Sequence, residues 1–345
     1  MISDGWVTMT NKFSDLINLV EAKISHLPLE KRRVIVACSG GVDSTALFAV
    51  FCQLLKAKKI FSLGLFHFNY GLRGEESEGD EAFCRDLAEG ASVPFLSACA
   101  TTEQRETRQG EGVQEWARRL RREALGQLGA EGHLIALAHH ADDSAETVLM
   151  RMMRGTSLAA MRGMTEWDGS WWRPWLRVPK SEIIAAAEER GMLFREDSTN
   201  EKLDYARNVV RHRVLPELFR LWPAGRQKLL DLADDANTVA SYALAKALEE
   251  TEFKLETKEV PIVSAHCSRA RLSALSDPIA LAVLAHLAQS TSAGSWKQLS
   301  RVNLLKVLAA ARAGGHPRFV LEMSRGLYLE ASADRVRSFP GSAPT

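Results

Sequence analysis

Excess charge of either sign is missing from this chain: 44 lysines and arginines face 43 aspartates and glutamates, a formal net charge of +1 at neutral pH. With 46% hydrophobic and 25% charged residues, this balance excludes disorder, a collagen repeat and a coiled coil as descriptions of the whole 345-residue chain. It does not exclude a nucleic-acid partner, which responds to local clusters of Lys and Arg rather than to their sum. Cysteine is sparse. The five residues Cys38, Cys52, Cys84, Cys99 and Cys267 include no C-x-x-C pair and no cluster with nearby histidines, which argues against structural zinc and an all-cysteine iron–sulfur centre. Long apolar runs are absent too: none approaches the roughly 18 residues of a membrane helix. The opening MISDGWVTMTNKFSDLI lacks a basic segment leading into a signal-peptide core. The expectation is a cytoplasmic protein with no membrane partner.

What is there is alternation. After an amphipathic helix carrying Phe13, Ile17, Leu19, Val20 and Ile24, the β-branched run Val34 to Ala37 reads as a buried strand. A helix from about Thr45, a strand Ile60 to Phe68, a helix from about Glu75 and a strand Pro94 to Ala98 follow. Next come a helix from about Val113, a strand His133 to His139 and a helix Asp142 to Arg154. Strands alternating with helices imply parallel crossovers, hence an α/β fold with a doubly wound parallel sheet covered on both faces. Ligands bind such sheets at the carboxyl ends of the strands. Beyond a Trp-rich stretch (Trp167, Trp171, Trp172, Trp175), a helix Lys180 to Arg190 and a basic run Arg207 to Arg213 still belong to this unit. Two domains are expected at about 150 residues each, with residues 1–225 forming the first. Residues 226–345 supply a linker helix and a smaller C-terminal α+β domain, with helices near Pro278 to Gln289 and Gln298 to Arg312 and strands near Arg318 to Glu322 and Leu327 to Glu330.

The strongest local signal is Ser39-Gly40-Gly41-Val42-Asp43-Ser44-Thr45, between the first strand and the first sheet helix. Two glycines let a backbone approach a phosphate, and the following helix presents free N–H groups and a positive dipole end. Ser39, Ser44 and Thr45 add hydroxyl donors. The Gly-Lys-Ser/Thr ending of a Walker A loop is missing, as is G-x-G-x-x-G. On the helix from Asp142, the residues Ala145, Val148, Leu149 and Met152 make an apolar face, and Asp143, Glu146 and Thr147 fall together away from it. Two carboxylates there could merely complement the helix dipole. At the carboxyl end of a strand, beside a phosphate loop, they suit an ammonium ion, such as that of free lysine, or a metal. Arg118, Arg121 and Arg122 share a helix side, a repulsion that a polyanion would offset. Arg207, Arg211, Arg213, Arg220, Arg226 and Lys228 form a second basic stretch suited to phosphate, since Arg forks pair well with phosphate oxygens.

The glycine loop resembles the pyrophosphate loop of the N-type ATP pyrophosphatases, of the adenine nucleotide alpha hydrolase-like fold. Over most of residues 31–217 the chain resembles the tRNA(Ile)-lysidine synthetases in particular. His67-Phe-Asn69-Tyr70-Gly-Leu72-Arg73-Gly is similar to that family's H-x-N-H-x-L-R-G segment, with Tyr70 replacing the second His. Ala117-Arg118-Arg119-Leu120-Arg121 matches A-R-x-x-R, with Arg122 where Tyr commonly follows. Ala138-His139-His140-Ala141-Asp142-Asp143-Ser144-Ala145-Glu146-Thr147, Arg154-Gly155 and Arg173-Pro174 match closely. So do Glu196-Asp197-Ser-Thr-Asn200, Arg207-Asn208-Val-Val-Arg211 and Leu215-Pro216.

The resemblance implies ATP and Mg2+ as cofactors, with Ser39, Gly40, Gly41, Val42, Asp43, Ser44, His67, Arg118 and His139 binding the nucleotide. Asp43 holds the magnesium, a carboxylate plus phosphate oxygens suiting that hard ion. Asp43, Asp143, Glu146, Arg118 and Arg121 become the catalytic set, and Asp143, Glu146, Asn200, Arg207, Asn208 and Arg211 the substrate and tRNA contacts. The implied partners are an isoleucine tRNA with a CAU anticodon and free L-lysine, with a homodimer left open. The C-terminal domain is then a tRNA-docking module. The rivals are a tRNA 2-thiolation enzyme using the same loop, a tRNA-binding relative without catalysis, and a small-molecule amidating ligase. For the tryptophans and Cys38 the packing reading prevails.

Overall fold

The computed structural model describes residues 11–106, 112–153, 163–195, 206–257, 262–291, 299–313, 318–324 and 326–341. The described residues of Met1–Met150 and Gly163–Leu230 form one compact unit, and those of Arg151–Arg162 and Asp231–Thr345 another.

The first unit opens with α1 (Lys12–Ile24) and β1 (Arg33–Ala37), followed by α2 (Val42–Lys56), β2 (Ser62–Asn69), α3 (Glu75–Gly90) and β3 (Phe95–Cys99). A short α4 (Thr102–Glu106) precedes α5 (Val113–Ala130), β4 (Leu134–Ala136) and α6 (Ala141–Met153). Two two-residue strands, β5 (Trp167–Asp168) and β6 (Trp171–Trp172), lead to α7 (Lys180–Glu189), α8 (Ala206–Val209), a π-helical turn Val210–Val214 and α9 (Leu215–Leu221). The strand order is β3-β2-β1-β4-β6-β5. All pairings are parallel except the terminal β5–β6 hairpin. The chain runs outward from β1 to β3, then returns to place β4 on the other side of β1. That reversal opens a crevice at the carboxyl ends of β1 and β4, where ligands of such sheets bind.

Both faces are covered, as expected, and strand alternation assigns the core. Val34, Val36, Leu63 and Leu65 point to one side, where they meet Phe13, Val20, Leu47, Phe51, Leu54 and Ile183. Ile35, Phe66 and Phe68 point to the other, against Trp116, Leu120 and Leu125 of α5. Trp172 is fully buried edge-on to Phe51, with ring centroids 5.7 Å apart, and Trp167 stacks on it at 4.8 Å. Phe51→Ala is expected to cost about 3–5 kcal/mol, because a wholly buried ring leaves a cavity that a close-packed interior fills poorly. Urea unfolding should show a lower midpoint at unchanged slope.

The structure departs from the sequence reading at several places. Helix α2 begins at Val42 rather than near Thr45, Gly41 being its N-cap. The expected strand His133 to His139 shrinks to Leu134–Ala136, because its neighbour β6 pairs only with Ile135 and Ala136. The released residues carry both histidines into the crevice. On α6, Met152 is 39% exposed instead of lying on the buried face, whereas Asp143 and Glu146 are buried.

The second unit continues α10 (Gly225–Glu250) into β7 (Lys254–Thr257), β8 (Ile262–Ser268), α11 (Arg269–Ala274), α12 (Asp277–Thr291) and α13 (Arg301–Arg312). Strands β9 (Phe319–Ser324), β10 (Leu327–Ala331) and β11 (Arg335–Pro340) complete an antiparallel sheet ordered β7-β8-β11-β10-β9. Leu281, Leu284, Leu287, Val307 and Leu308 pack on Ala265, Cys267, Leu329 and Val336, one face of that sheet. It is an α+β unit with three strands more than the two foreseen. Among the described residues no helix is long and apolar enough to cross a membrane.

Candidate active site

The loop after β1 is built from its own hydroxyls. Gly40 has φ +88°, a conformation that L side chains rarely adopt. Ser44 is buried; its hydroxyl donates to the Gly41 carbonyl at 3.1 Å and accepts the Ser39 N–H at 3.1 Å. Thr45 donates likewise to the Gly40 carbonyl at 3.1 Å. These two hydroxyls therefore brace the turn from within rather than standing free as ligand donors. Ser39, Gly41 and Val42 keep exposed surface while Gly40 is buried, and among the described residues no side chain caps the first turn of α2, whose N–H groups suit an anion. His67, expected at the nucleotide, lies beneath the loop: it is buried, with Nδ1 3.0 Å from the Cys38 carbonyl. Burial lowers its pKa. From the other side, the Arg195 N–H donates to the Gly40 carbonyl at 3.0 Å, and the Arg195 guanidinium bonds Asp80.

Asp43 stands in the first turn of α2 with Oδ1 buried and, among the described residues, without a hydrogen-bond partner. Its Oδ2 lies 3.6 Å from His140 Nε2 and 3.8 Å from Lys180 Nζ. His140, only 2% exposed, also stands 3.4 Å from Asp143 Oδ2 and 3.8 Å from Asp142 Oδ2. Burial disfavours its charged form, but the contact with Asp43 and the charges of Asp143, Asp43 and Asp142 outweigh this and raise its pKa. His140 thus joins the loop to α6.

On α6 the carboxylates already hold cations. Glu146 is fully buried, and its two oxygens accept Arg211 Nε at 2.5 Å and Arg207 Nε at 2.9 Å. Arg211 Nη2 reaches Asp143 Oδ1 at 2.5 Å, so one guanidinium spans both acids. Burial would raise the pKa of Asp143, yet the charges of His140 and Arg211 hold it low. Of the basic stretch expected to meet phosphate, Arg207 and Arg211 instead face Glu146, Arg226 pairs with Asp142 at 2.9 Å, and Arg220 pairs with Glu217. The neutralising acids come mostly from α6, far away in sequence. Asn208 sits on α8; Asn200 lies outside the described residues.

A basic wall closes the crevice. Trp116 and Leu120 bury one side of α5 and leave Arg118, Arg121 and Arg122 on another. Desolvation, then the charges of Arg121, Arg207, Arg122 and Arg173, bring Arg118 down to about 10, although part of its side chain remains exposed. His139 falls to about 3 through burial and the charges of Arg173, Arg121 and Arg118, against the pull of Asp143. It is a neutral imidazole whose buried Nδ1 has no hydrogen-bond partner among the described residues. Arg118 and Arg121 form no ion pair among the described residues, an excess of positive charge that suits a polyanion. The sequence reading has His140 at a strand end where a ligand contact is possible but does not count it among the site residues, and it gives Lys180 no role. The A-H-H-A-D-D run could have signalled the first; nothing local signals the second.

A glycine loop at the β1 switch point, opposite two histidines and an acidic helix, defines a nucleotide-binding type of α/β site. The PP-loop domain model matches residues 11–218, and the chain belongs to that family. It is 37% identical over 185 residues to the tRNA(Ile)-lysidine synthase of Chlorobaculum tepidum, covering 53% of this chain and 56% of that protein. To the enzyme of the same name from Parabacteroides distasonis it is 37% identical over 231 residues, covering 64% and 50%. The chain thus spans about half the length of these curated relatives. Among solved structures, the U34-tRNA thiolase NcsA from Methanococcus maripaludis superposes with TM-score 0.55 at 16% identity, covering 66% of this chain and 80% of that one. That likeness concerns the fold alone.

Proposed function

We propose that the chain uses ATP to ligate lysine to C2 of the wobble cytidine of an isoleucine tRNA with a CAU anticodon. The oxygen on C2 is first adenylated with release of pyrophosphate; the lysine ε-ammonium then gives up a proton to water or a carboxylate, the free amine forms a bond to C2, and the C2–O bond breaks with its electron pair leaving on AMP. The observation that carries this reading is the pairing of two half-sites through one residue. His140 lies 3.6 Å from Asp43 on the phosphate loop and 3.4 Å from Asp143, beside Glu146, on the acidic helix. Phosphate and ammonium would thereby meet in one crevice. Similarity to the two synthases supports the choice of substrates.

The protein's contribution is positioning and charge neutralisation, as in other phosphoryl transfers. Backbone N–H groups of the loop and of the first turn of α2 receive the phosphates. Arg118 and Arg121 face the anionic substrate. Asp143 and Glu146 draw the lysine ammonium, a cation like the Arg211 guanidinium that pairs with both acids here. Neutral His139 offers a hydrogen bond without adding charge.

Magnesium fits at Asp43, whose buried Oδ1 lacks a hydrogen-bond partner among the described residues. Among the described residues no group of three or more His, Cys, Asp and Glu could hold an ion alone, so phosphate oxygens and water would complete the shell. When bound, the ion would screen phosphate charge at that carboxylate.

The test is incubation with ATP, magnesium, labelled lysine and a CAU-anticodon isoleucine tRNA transcript. Label is expected in RNA only when ATP is present, with AMP and pyrophosphate produced. Labelling of a small molecule without RNA, sulfur incorporation, or tRNA binding with no turnover would overturn the reading.

A further inference from the structure

Lys180 opens α7 at the rim of the crevice, directly after Pro179. Its backbone N–H donates to Asp142 Oδ2 at 2.9 Å, and Arg226 Nη2 holds the other oxygen of Asp142 at 2.9 Å. The start of the residue is thus fixed. Its side chain is 40% exposed, and Nζ stops 3.8 Å from Asp43 Oδ2, too far for a direct hydrogen bond. Beside it, Asp43 Oδ1 is buried with no hydrogen-bond partner among the described residues. An ammonium held near the carboxylate of a phosphate loop, but not bonded to it, leaves its protons for an anion. The loop itself contains no lysine, since Val42-Asp43-Ser44 stands where a Walker A loop ends in Lys-Ser/Thr. A cation from another strand crossover makes good that lack.

We propose that Lys180 is a pyrophosphate-binding residue, its ammonium contacting the β- and γ-phosphates of ATP and staying with the released pyrophosphate. The proposal rests on the ATP chemistry above. In the adenylation step the cytidine oxygen forms a bond to the α-phosphorus while the bond from that phosphorus to the bridging oxygen breaks. The electron pair stays on that oxygen, so the leaving pyrophosphate gains one negative charge. Lys180 remains protonated throughout and neutralises part of that charge; it transfers no proton. If the residue only made a half-exposed ion pair with Asp43, it would contribute little to either stability or binding.

The discriminating experiment measures calorimetric binding of magnesium pyrophosphate and, separately, of AMP to the whole chain. Wild type, Lys180→Met and Lys180→Arg are compared, with thermal melting as the folding control. Lys180→Met should bind pyrophosphate roughly 10- to 100-fold more weakly, the loss of a charge-assisted contact, while AMP binding and the melting midpoint stay at wild-type values. Lys180→Arg should recover most of the pyrophosphate affinity. Equal pyrophosphate affinity in wild type and Lys180→Met overturns the proposal, as does a parallel loss of AMP binding. Wild type binding neither ligand would overturn the ATP reading itself, a result separable from failure of Lys180 alone.

Discussion

Asp43→Ala abolishes tRNA-dependent pyrophosphate release while the protein remains folded; that is the expected result for the residue at the centre of the phosphate loop. Its Oδ1 has no hydrogen-bond partner among the described residues, and its Oδ2 neighbours, His140 and Lys180, lie at 3.6 and 3.8 Å. Little of the fold therefore depends on the carboxylate. What its removal takes away is a preorganised negative group that holds a hard cation against phosphate oxygens. Losing such a charge at the reacting centre costs on the order of 100- to 1,000-fold in turnover, enough to bring release to background. Circular dichroism and the melting midpoint should match wild type. Undiminished pyrophosphate release would make Asp43 a helix-start residue that merely complements the α2 dipole.

Legibility of the fold followed the range over which its signals act. The run Val34 to Ala37, the glycine pair and the helix after it are contiguous, so periodicity and turn chemistry placed the loop correctly. The α/β alternation carried the parallel sheet for the same reason. Strands β5 and β6, of two residues each, are shorter than any periodic pattern can register, and the tryptophans there read only as packing. His133 to His139 looked like one strand because its apolar run continues, yet strand length is set by the partner, and β6 is short.

The site divides in the same way. The acidic pair on α6 was legible because both acids share a helix, but their burial was not. It depends on Arg207 and Arg211, which lie 61 and 65 residues from Glu146. Sequence spacing assigned those arginines to phosphate, whereas in the folded chain buried carboxylates claim them, since an unpaired buried acid is costly. Fewer cations of that stretch are left for an anion, and the basic wall is made by Arg118 and Arg121 instead.

Glu146→Gln separates the two stages of the proposed reaction. The side chain is fully buried with both oxygens engaged, accepting Arg211 Nε at 2.5 Å, Arg207 Nε at 2.9 Å and Arg211 Nη2 at 3.1 Å. Glutamine keeps the shape but removes the charge and turns one acceptor into a donor facing a guanidinium. If this carboxylate and Asp143 receive the lysine ammonium, the loss of a charge-assisted hydrogen bond is worth roughly 1.5–3 kcal/mol, or about a 10- to 100-fold weaker use of lysine. The two arginines introduce a competing effect: breaking a buried pair also destabilises the fold. Destabilisation would lower both stages together, and thermal melting reports it directly. A lysine-site defect lowers only the second, because adenylation precedes amine attack. The measurements are product formation against lysine concentration and single-turnover tRNA adenylation without lysine, both below the melting range of the variant. Weakened lysine dependence with near-normal adenylation is expected. Lost adenylation with unchanged lysine dependence would place Glu146 with the nucleotide, acting through Arg207 and Arg211, and would move the lysine site elsewhere on the carboxyl edge of the sheet.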